Sequence, residues 1–514
     1  MKTNDEYYIV VNLGLKSIRC IIFNKKGSVI EHASLPINTY IMDEWIEQNP
    51  NEWWEKANKV IKTTTEVEEI SQRISSVSVT SSSACLVYTD EKGNSLGRAI
   101  MVSDKRSQEE AKEIESLDEF KPVKKTTGLA MSAYFQLPKI LWLKNHKPEL
   151  FKKVHIFISP NDFLLYKLTG KYITDIFNAQ KFHYDYLAQK YPQQLLKAIG
   201  LDESKLPPVF NPGHIVGHIN KDLCRKFSFS KIKAILTTYD AICAFVGSGP
   251  IDTKVACDVS GTVTSVRIYT NAKVTKKLEN IFLTPLESNN MYIIGGSSNV
   301  GGGLIEWIKQ AFYSHEESPY EVMEKEAQDS TIGARGLIFL PYLMGERAPV
   351  WDNAVRGVFF GIERTHTRKD FTRAVFESTA FITADLVNEL VKNGFPVERI
   401  RVSGGLSRIK TINQIKADVL GMDVEVVDNF ETTSLGSLAL MLAGTKKYKS
   451  LNEAIENIVR IRIVHRPKFD YHETYNKLFK IYKELYTTTR PLFKKRRGVY
   501  NEIYTKKVGT MENL

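Results

Sequence analysis

Residues 7–23 read YYIVVNLGLKSIRCIIF, and residues 254–269 read KVACDVSGTVTSVRIY. In each, an apolar run meets a short turn carrying glycine and serine, and a second apolar run follows. That pattern predicts a β-hairpin with buried strands and an exposed tip. Glycine at such a tip allows close backbone approach to a ligand, because no Cβ stands in the way. Two hairpins of one design, far apart in one chain, predict one folding unit used twice.

Between and beyond the hairpins, strands are expected near 74–80, 83–89 and 154–159, and helices near 51–65, 104–117 and 136–146. Residues 370–393 place Phe371, Ala374, Val375, Phe381, Ile382, Leu386 and Leu390 on one helical stripe that Gly394 ends. Alternating strands and helices predict an α/β fold. The turn-rich Gly247–Asp252 stretch, just before the second hairpin, marks a boundary. The expected units are 1–250, 251–485 and a basic polar tail, 486–514.

Composition narrows the function classes. Of 514 residues, 43% are hydrophobic and 11% aromatic, enough for sizeable cores and against disorder. The five cysteines are scattered without a CxxC pair, which argues against a zinc site or a disulfide framework and fits a reducing cytoplasm. MKTNDEYYIVVNLG lacks the basic-then-apolar order of a secretory signal. No apolar run is long enough to span a membrane. The net charge of +11 comes from Lys and Arg interleaved with Glu, and the one dense cluster is Lys494–Arg497. That distribution predicts a solvated surface rather than a nucleic-acid patch.

Transfer of a phosphoryl group needs backbone N–H groups around phosphates, Mg²⁺ with carboxylate help, and a base beside the acceptor hydroxyl. The glycine turns at Gly14, Ser260-Gly261-Thr262, Gly301-Gly302-Gly303 and Ser403-Gly404-Gly405 are candidates for the first. Any one of them alone is an ordinary turn. Gly404-Gly405 is the strongest, since it follows the strand RIRVS and leads towards the helix TINQIKADVLG.

Longer stretches are specific. Residues 134–146, YFQLPKILWLKNH, resemble the first signature of the FGGY carbohydrate kinase family, with Lys139 and Trp142 in place and Gln136 where a small residue or proline is usual. Residues 357–377, GVFFGIERTHTRKDFTRAVFE, match the second signature throughout. EQNPNEWWE (47–55), PNDFLLYKLTG (160–170), TDIFNA (174–179) and PYLMGERAPVWD (341–352) are similar to the same family, in order. Trp142, Phe359 and Phe376 also read as core packing, and GERAPVWD serves either the ligand or a domain interface.

The resemblance implies two actin-like (ribonuclease-H-like) lobes with a cleft, ATP and Mg²⁺ as cofactors, and a small sugar, ketose, polyol or sugar acid as acceptor. Asp240 aligns with the family's catalytic base. Ser82, Ser83, Ala84, Asp104, Arg106 and Tyr134 fall where members contact the sugar, although Asp104 and Arg106 read equally well as a helix start with a surface ion pair. Gly14, Ser17, Ser260, Gly261, Thr262, Gly302, Gly405 and Leu406 fall at the nucleotide. No nucleic acid or membrane partner is expected, the location is cytoplasmic, and the assembly considered is a homodimer. One turn departs from the family. Asn12-Leu13-Gly14-Leu15 stands where Asp-x-Gly-Thr is usual, so Asn12 offers Mg²⁺ a neutral oxygen and Leu15 offers a phosphate no hydroxyl. The residues of the xylulose and glycerol kinases at 82–84 are also missing. A degenerate member that binds sugar or nucleotide as a regulator is therefore the alternative.

Overall fold

The computed structural model describes residues 6–511 apart from 128–129, 251, 272–277, 279, 288–290 and 430, with side chains undescribed also for 282–291 and 500–511. The chain divides into two compact units. The first is Met1–Gly247 with Glu431–Val459, and the second is Ser248–Phe430 with Arg460–Leu514.

The first unit is built on a mixed sheet of β1 (Tyr7–Leu13), β2 (Ser17–Asn24), β3 (Val29–Pro36), β4 (Ile74–Ser81), β5 (Ile215–His218) and β6 (Lys233–Ile235), in the order β5-β6-β4-β1-β2-β3. β1 and β2 form the predicted antiparallel hairpin, with Asn12 opposite Arg19, and β1 runs parallel to β4, which runs parallel to β6. β1 is buried over Tyr8–Leu13 on both faces, which explains why its sequence is continuously apolar rather than alternating.

The second unit repeats the plan. β7 (Val255–Ser260), β8 (Thr264–Thr270), β9 (Phe282–Glu287), β10 (Met291–Ser298), β11 (Arg399–Ser403), β12 (Asp423–Val427) and β13 (Ile461–His465) pair in the order β9-β10-β8-β7-β11-β12-β13. β7 and β8 are the second hairpin, and β7, β11 and β12 run parallel. In both units the hairpin's first strand continues into two parallel strands and an antiparallel edge.

Helices form where the sequence predicts them. Pro50–Thr64, Gln108–Ser116 and Gln136–His146 lie in the first unit, and Arg368–Lys392 in the second. The last starts at a capping box in which the Thr367 and Asp370 side chains each take the other's backbone N–H. In Gln136–His146 every residue from 136 to 143 is buried, Lys139 included.

Residues 431–459 rejoin the first unit through the Thr432–Gly444 helix, which crosses the Asp240–Gly247 helix. The crossing needs glycine on both sides. A Cβ on Gly436 would meet Cys243 O at 1.8 Å, and one on Gly247 would meet Thr432 O at 1.9 Å. At the C-terminus, the expected break at 485 is absent. One helix, Phe469–Met511, runs through it, and Leu485 and Phe493 sit buried in the second unit's core while Lys494–Arg497 are exposed.

Candidate active site

In the first unit, β4 delivers Ser82 and Ser83 to a turn whose next residue, Ala84, holds the left-handed φ of 58°. Asp240 opens the Asp240–Gly247 helix, where the helix dipole favours a negative charge. The Ser82 hydroxyl donates to Asp240 Oδ2 at 3.4 Å. The segment before Asp240 is clipped to β4, with Thr80 donating to Thr238 O at 2.7 Å and Thr237 to Val79 O at 2.8 Å. β4 and Asp240 are therefore placed as one body.

Lys139 is fully buried beneath that turn. Its Nζ donates to Ala84 O at 2.6 Å and Tyr134 O at 3.4 Å, tying together two segments expected at the acceptor. Burial pulls its pKa down to about 8, against some support from Cys85 and Asp104. The Tyr134 ring above it is half exposed. Gln136, the departure in the first signature, is buried and donates to Cys85 O at 3.4 Å, so it braces the same turn.

Asp104 and Arg106 have a different geometry from the one expected. Arg106 packs against both Trp45 and Trp142, with its guanidinium 4.0 and 5.0 Å from their ring centres. It donates twice to Asp104, at 2.9 and 2.8 Å, and once to Glu47 at 2.8 Å. Asp104 also takes the Ile46 N–H at 2.6 Å. With side-chain exposures of 3% and 0%, the pair satisfies itself and the 45–47 strand, which leaves little for several sugar hydroxyls.

The first hairpin tip is tight, with Gly14 N–H donating to Ser17 O at 2.9 Å. Asn12 is buried and donates to Ser434 Oγ at 3.3 Å, while Leu15 is 45% exposed. Gln48, which the sequence did not single out, donates to Leu15 O at 2.8 Å and fixes that tip; its residence in EQNPNEWWE was the available signal. Among the described residues no group of three or more His, Cys, Asp or Glu gathers to hold a metal ion. The donor that the sequence offered Mg²⁺ at this tip is the neutral Asn12 side chain.

The second unit assembles three glycine turns at one place. Gly302 and Gly303 N–H donate to Gly261 O and Thr262 O at 2.7 and 3.1 Å, seating the start of the Gly302–Phe312 helix on the second hairpin tip. A Cβ on Gly404, whose φ is 83°, would meet Ser260 O at 2.5 Å, and one on Gly301 would meet the Val263 backbone at 2.6 Å. Gly261 and Gly405 themselves face open space. Thr262 is exposed at the tip. Ser260 and Leu406 face inward: the Ser260 hydroxyl donates to Asp258 at 2.5 Å, and Leu406 joins the apolar core. Close-packed backbone with bare glycine at its surface fits phosphates and a nucleotide.

Two acids outside the sequence-derived set support this cradle. Asp258 is fully buried and is held by an ion pair with Lys416 and by the Thr383 hydroxyl at 3.0 Å. Glu346, within GERAPVWD, takes the Ser298 hydroxyl and the Asn299 N–H, both at 2.7 Å, and burial raises its pKa. It thereby anchors the strand end that leads to Gly301.

Comparison with known proteins follows this geometry. The N-terminal domain of the FGGY family of carbohydrate kinases matches residues 7–247, and its C-terminal domain matches 259–445. The chain therefore belongs to the FGGY family of carbohydrate kinases. A xylulose kinase of Staphylococcus epidermidis is 28% identical over 505 residues, 95% of this chain and 98% of its own. A gluconokinase of Bacillus licheniformis is 28% identical over 494 residues, covering 93% and 95%. The solved structure of gluconate kinase from Lactobacillus acidophilus superposes with a TM-score of 0.87 at 24% identity, over 96% of this chain and 99% of that one, and so shows the two-lobe, actin-like fold. Among the described residues no helix is long and apolar enough to cross a membrane.

Proposed function

We propose that this kinase phosphorylates a hydroxyl of a small, open-chain ketose, polyol or sugar acid with ATP, and that Asp240 is its general base. The observation that carries the reading is the Ser82 hydroxyl 3.4 Å from Asp240 Oδ2 at a helix start. As the acceptor oxygen attacks the γ-phosphorus, its proton passes to the Asp240 carboxylate, and ADP leaves. Ser83 and the Ala84 turn, held from beneath by Lys139, shape the acceptor's surroundings, with Tyr134 at their edge. Asp104 and Arg106 hold the neighbouring wall rather than the acceptor. Gly261, Thr262, Gly302 and Gly405 take the phosphates and adenosine, and the Ser17 hydroxyl at the Gly14 tip is a further phosphate donor. Mg²⁺ carried on the nucleotide offsets charge on the β- and γ-phosphates. The relatives' names, for xylulose, glycerol and gluconate, support a small polyhydroxylated acceptor of three to six carbons.

The test is ADP release across pentuloses, hexuloses, polyols and sugar acids, with wild type and Asp240→Asn. Asp240→Asn is expected to lose at least about a hundredfold in turnover while ATP affinity stays within a small factor. Near-intact turnover in that variant removes Asp240 from the role. A regulator without turnover is the lesser reading, since only Asn12 and Leu15 favour it.

A further inference from the structure

Behind Ser82, the first unit buries a run of polar side chains that the reaction as described does not use. Ser81 Oγ accepts the Asn161 N–H at 3.0 Å and reaches Asn161 Oδ1 at 3.2 Å. The Asn178 amide donates to that same Oδ1 at 3.1 Å and to Asp175 Oδ2 at 2.6 Å. Asp175 Oδ1 in turn takes the backbone N–H of Phe177 at 2.9 Å. Ser81, Asn161, Asn178 and Asp175 are all at most 1% exposed. The chain of contacts thus runs Asp175, Asn178, Asn161, Ser81, and then by one peptide bond to Ser82 on Asp240.

Burying two amides and a carboxylate is unfavourable unless every bond is made, and apolar side chains would fill the same space more simply. A hydrogen-bonded polar chain does what an apolar cluster cannot: it fixes directions as well as distances, and here it does so with only Asn178 Oδ1 left without a partner. This one ends on Ser81, the residue before Ser82. The stretches that supply it, PNDFLLYKLTG and TDIFNA, have no other part in the site.

We propose that Asp175, Asn178 and Asn161 are positioning residues for phosphoryl transfer, acting on Asp240 through Ser81 and Ser82. The inference rests on Asp240 being the base. It predicts that the chain and the Ser82 hydroxyl are one device, so that their effects on rate do not add.

The experiment is a double-mutant cycle in the full chain, with xylulose and gluconate as acceptors, comparing Ser82→Ala, Asn178→Ala and both together. Each single change is expected to lower kcat about tenfold, the scale of a hydrogen bond to a charged group at long range, with KM for ATP unchanged. The double variant should be no slower than the slower single one. A double variant slowed by about a hundredfold, the product of two independent effects, overturns the proposal. So does an Asn178→Ala enzyme with lowered melting temperature but unchanged kcat. If Asn178→Ala does not fold, Ser81→Ala removes a single hydroxyl from the same chain and takes its place in the cycle. Asp240→Asn separates the two readings. Retained turnover in it overturns the base and this inference together, whereas an inactive Asp240→Asn with an additive cycle overturns the positioning alone. Failure to turn over either acceptor or any other in the screen also overturns both.

Discussion

Lys139→Met isolates the buried cation beneath the acceptor turn. Below pH 8 the lysine is charged in the folded and the unfolded chain alike, and the folded state bears the full burial penalty. Between pH 8 and its ordinary value of 10.5, the folded lysine is neutral while the unfolded one still binds a proton, so stability rises with pH across that window. A displacement from 10.5 to about 8 corresponds to roughly 3 kcal/mol. Methionine fills similar space without charge but leaves the Ala84 and Tyr134 carbonyls without their donor, at about 1–3 kcal/mol. At pH 7 these effects nearly cancel, and the variant should match wild type within about 2 kcal/mol. Chemical denaturation at a series of pH values from 7 to 10 should then show wild type gaining on the variant, by roughly 2–3 kcal/mol in total. Other titrating groups are common to both proteins and largely drop out of the difference. Activity should fall roughly tenfold to a hundredfold, because the strained Ala84 turn loses its tether. A stability difference that stays flat with pH refutes the buried-cation argument, and full activity in the variant refutes the tether.

Further outcomes follow from particular contacts. Gly404→Ala places a Cβ 2.5 Å from Ser260 O at a positive φ, so it should raise KM for ATP and cost about 1–3 kcal/mol, readable by nucleotide titration and melting. Truncation after Thr489 removes the buried Phe493 and the Arg490–Asp352 contact at 3.3 Å, and should cost about 2–3 kcal/mol in urea; a melting curve like wild type would mean the helix end does not pack. Asn12→Asp with Leu15→Thr should lower the Mg²⁺ concentration needed for half-maximal turnover. If wild type saturates at lower Mg²⁺ than the double variant, Asn12 is suited to its site as it stands.

Much of the fold was legible because its signals are local. The two hairpins are apolar runs around glycine tips, and the Arg368–Lys392 helix carries its cap and stripe in adjacent residues. The FGGY signatures were likewise contiguous, and the resemblance they carry implied Asp240 as the base; Ser82, another sequence candidate, donates to it. What partners a polar group was not legible. Asp104 and Arg106 read equally as sugar contacts or as a helix start with a surface ion pair, and what the sequence could not show is that Ile46, Glu47, Trp45 and Trp142 engage them from other parts of the chain. Lys139, Gln48, Asp258 and Glu346 were missed as functional supports for the same reason, since each acts on a residue distant in sequence.

The sequence by itself determined the α/β class, the duplicated hairpin and the family, all of which rest on periodicity and contiguous motifs. Tertiary structure alone decided that residues 431–459 return to the first unit and that the helix after 469 runs on past 485. TTSLGSLALMLAG is apolar around its whole circumference, so its pattern selects no particular face or partner. Only the fit of Gly436 against Cys243 and Gly247 does, and close backbone approach is a property of two surfaces together rather than of either sequence.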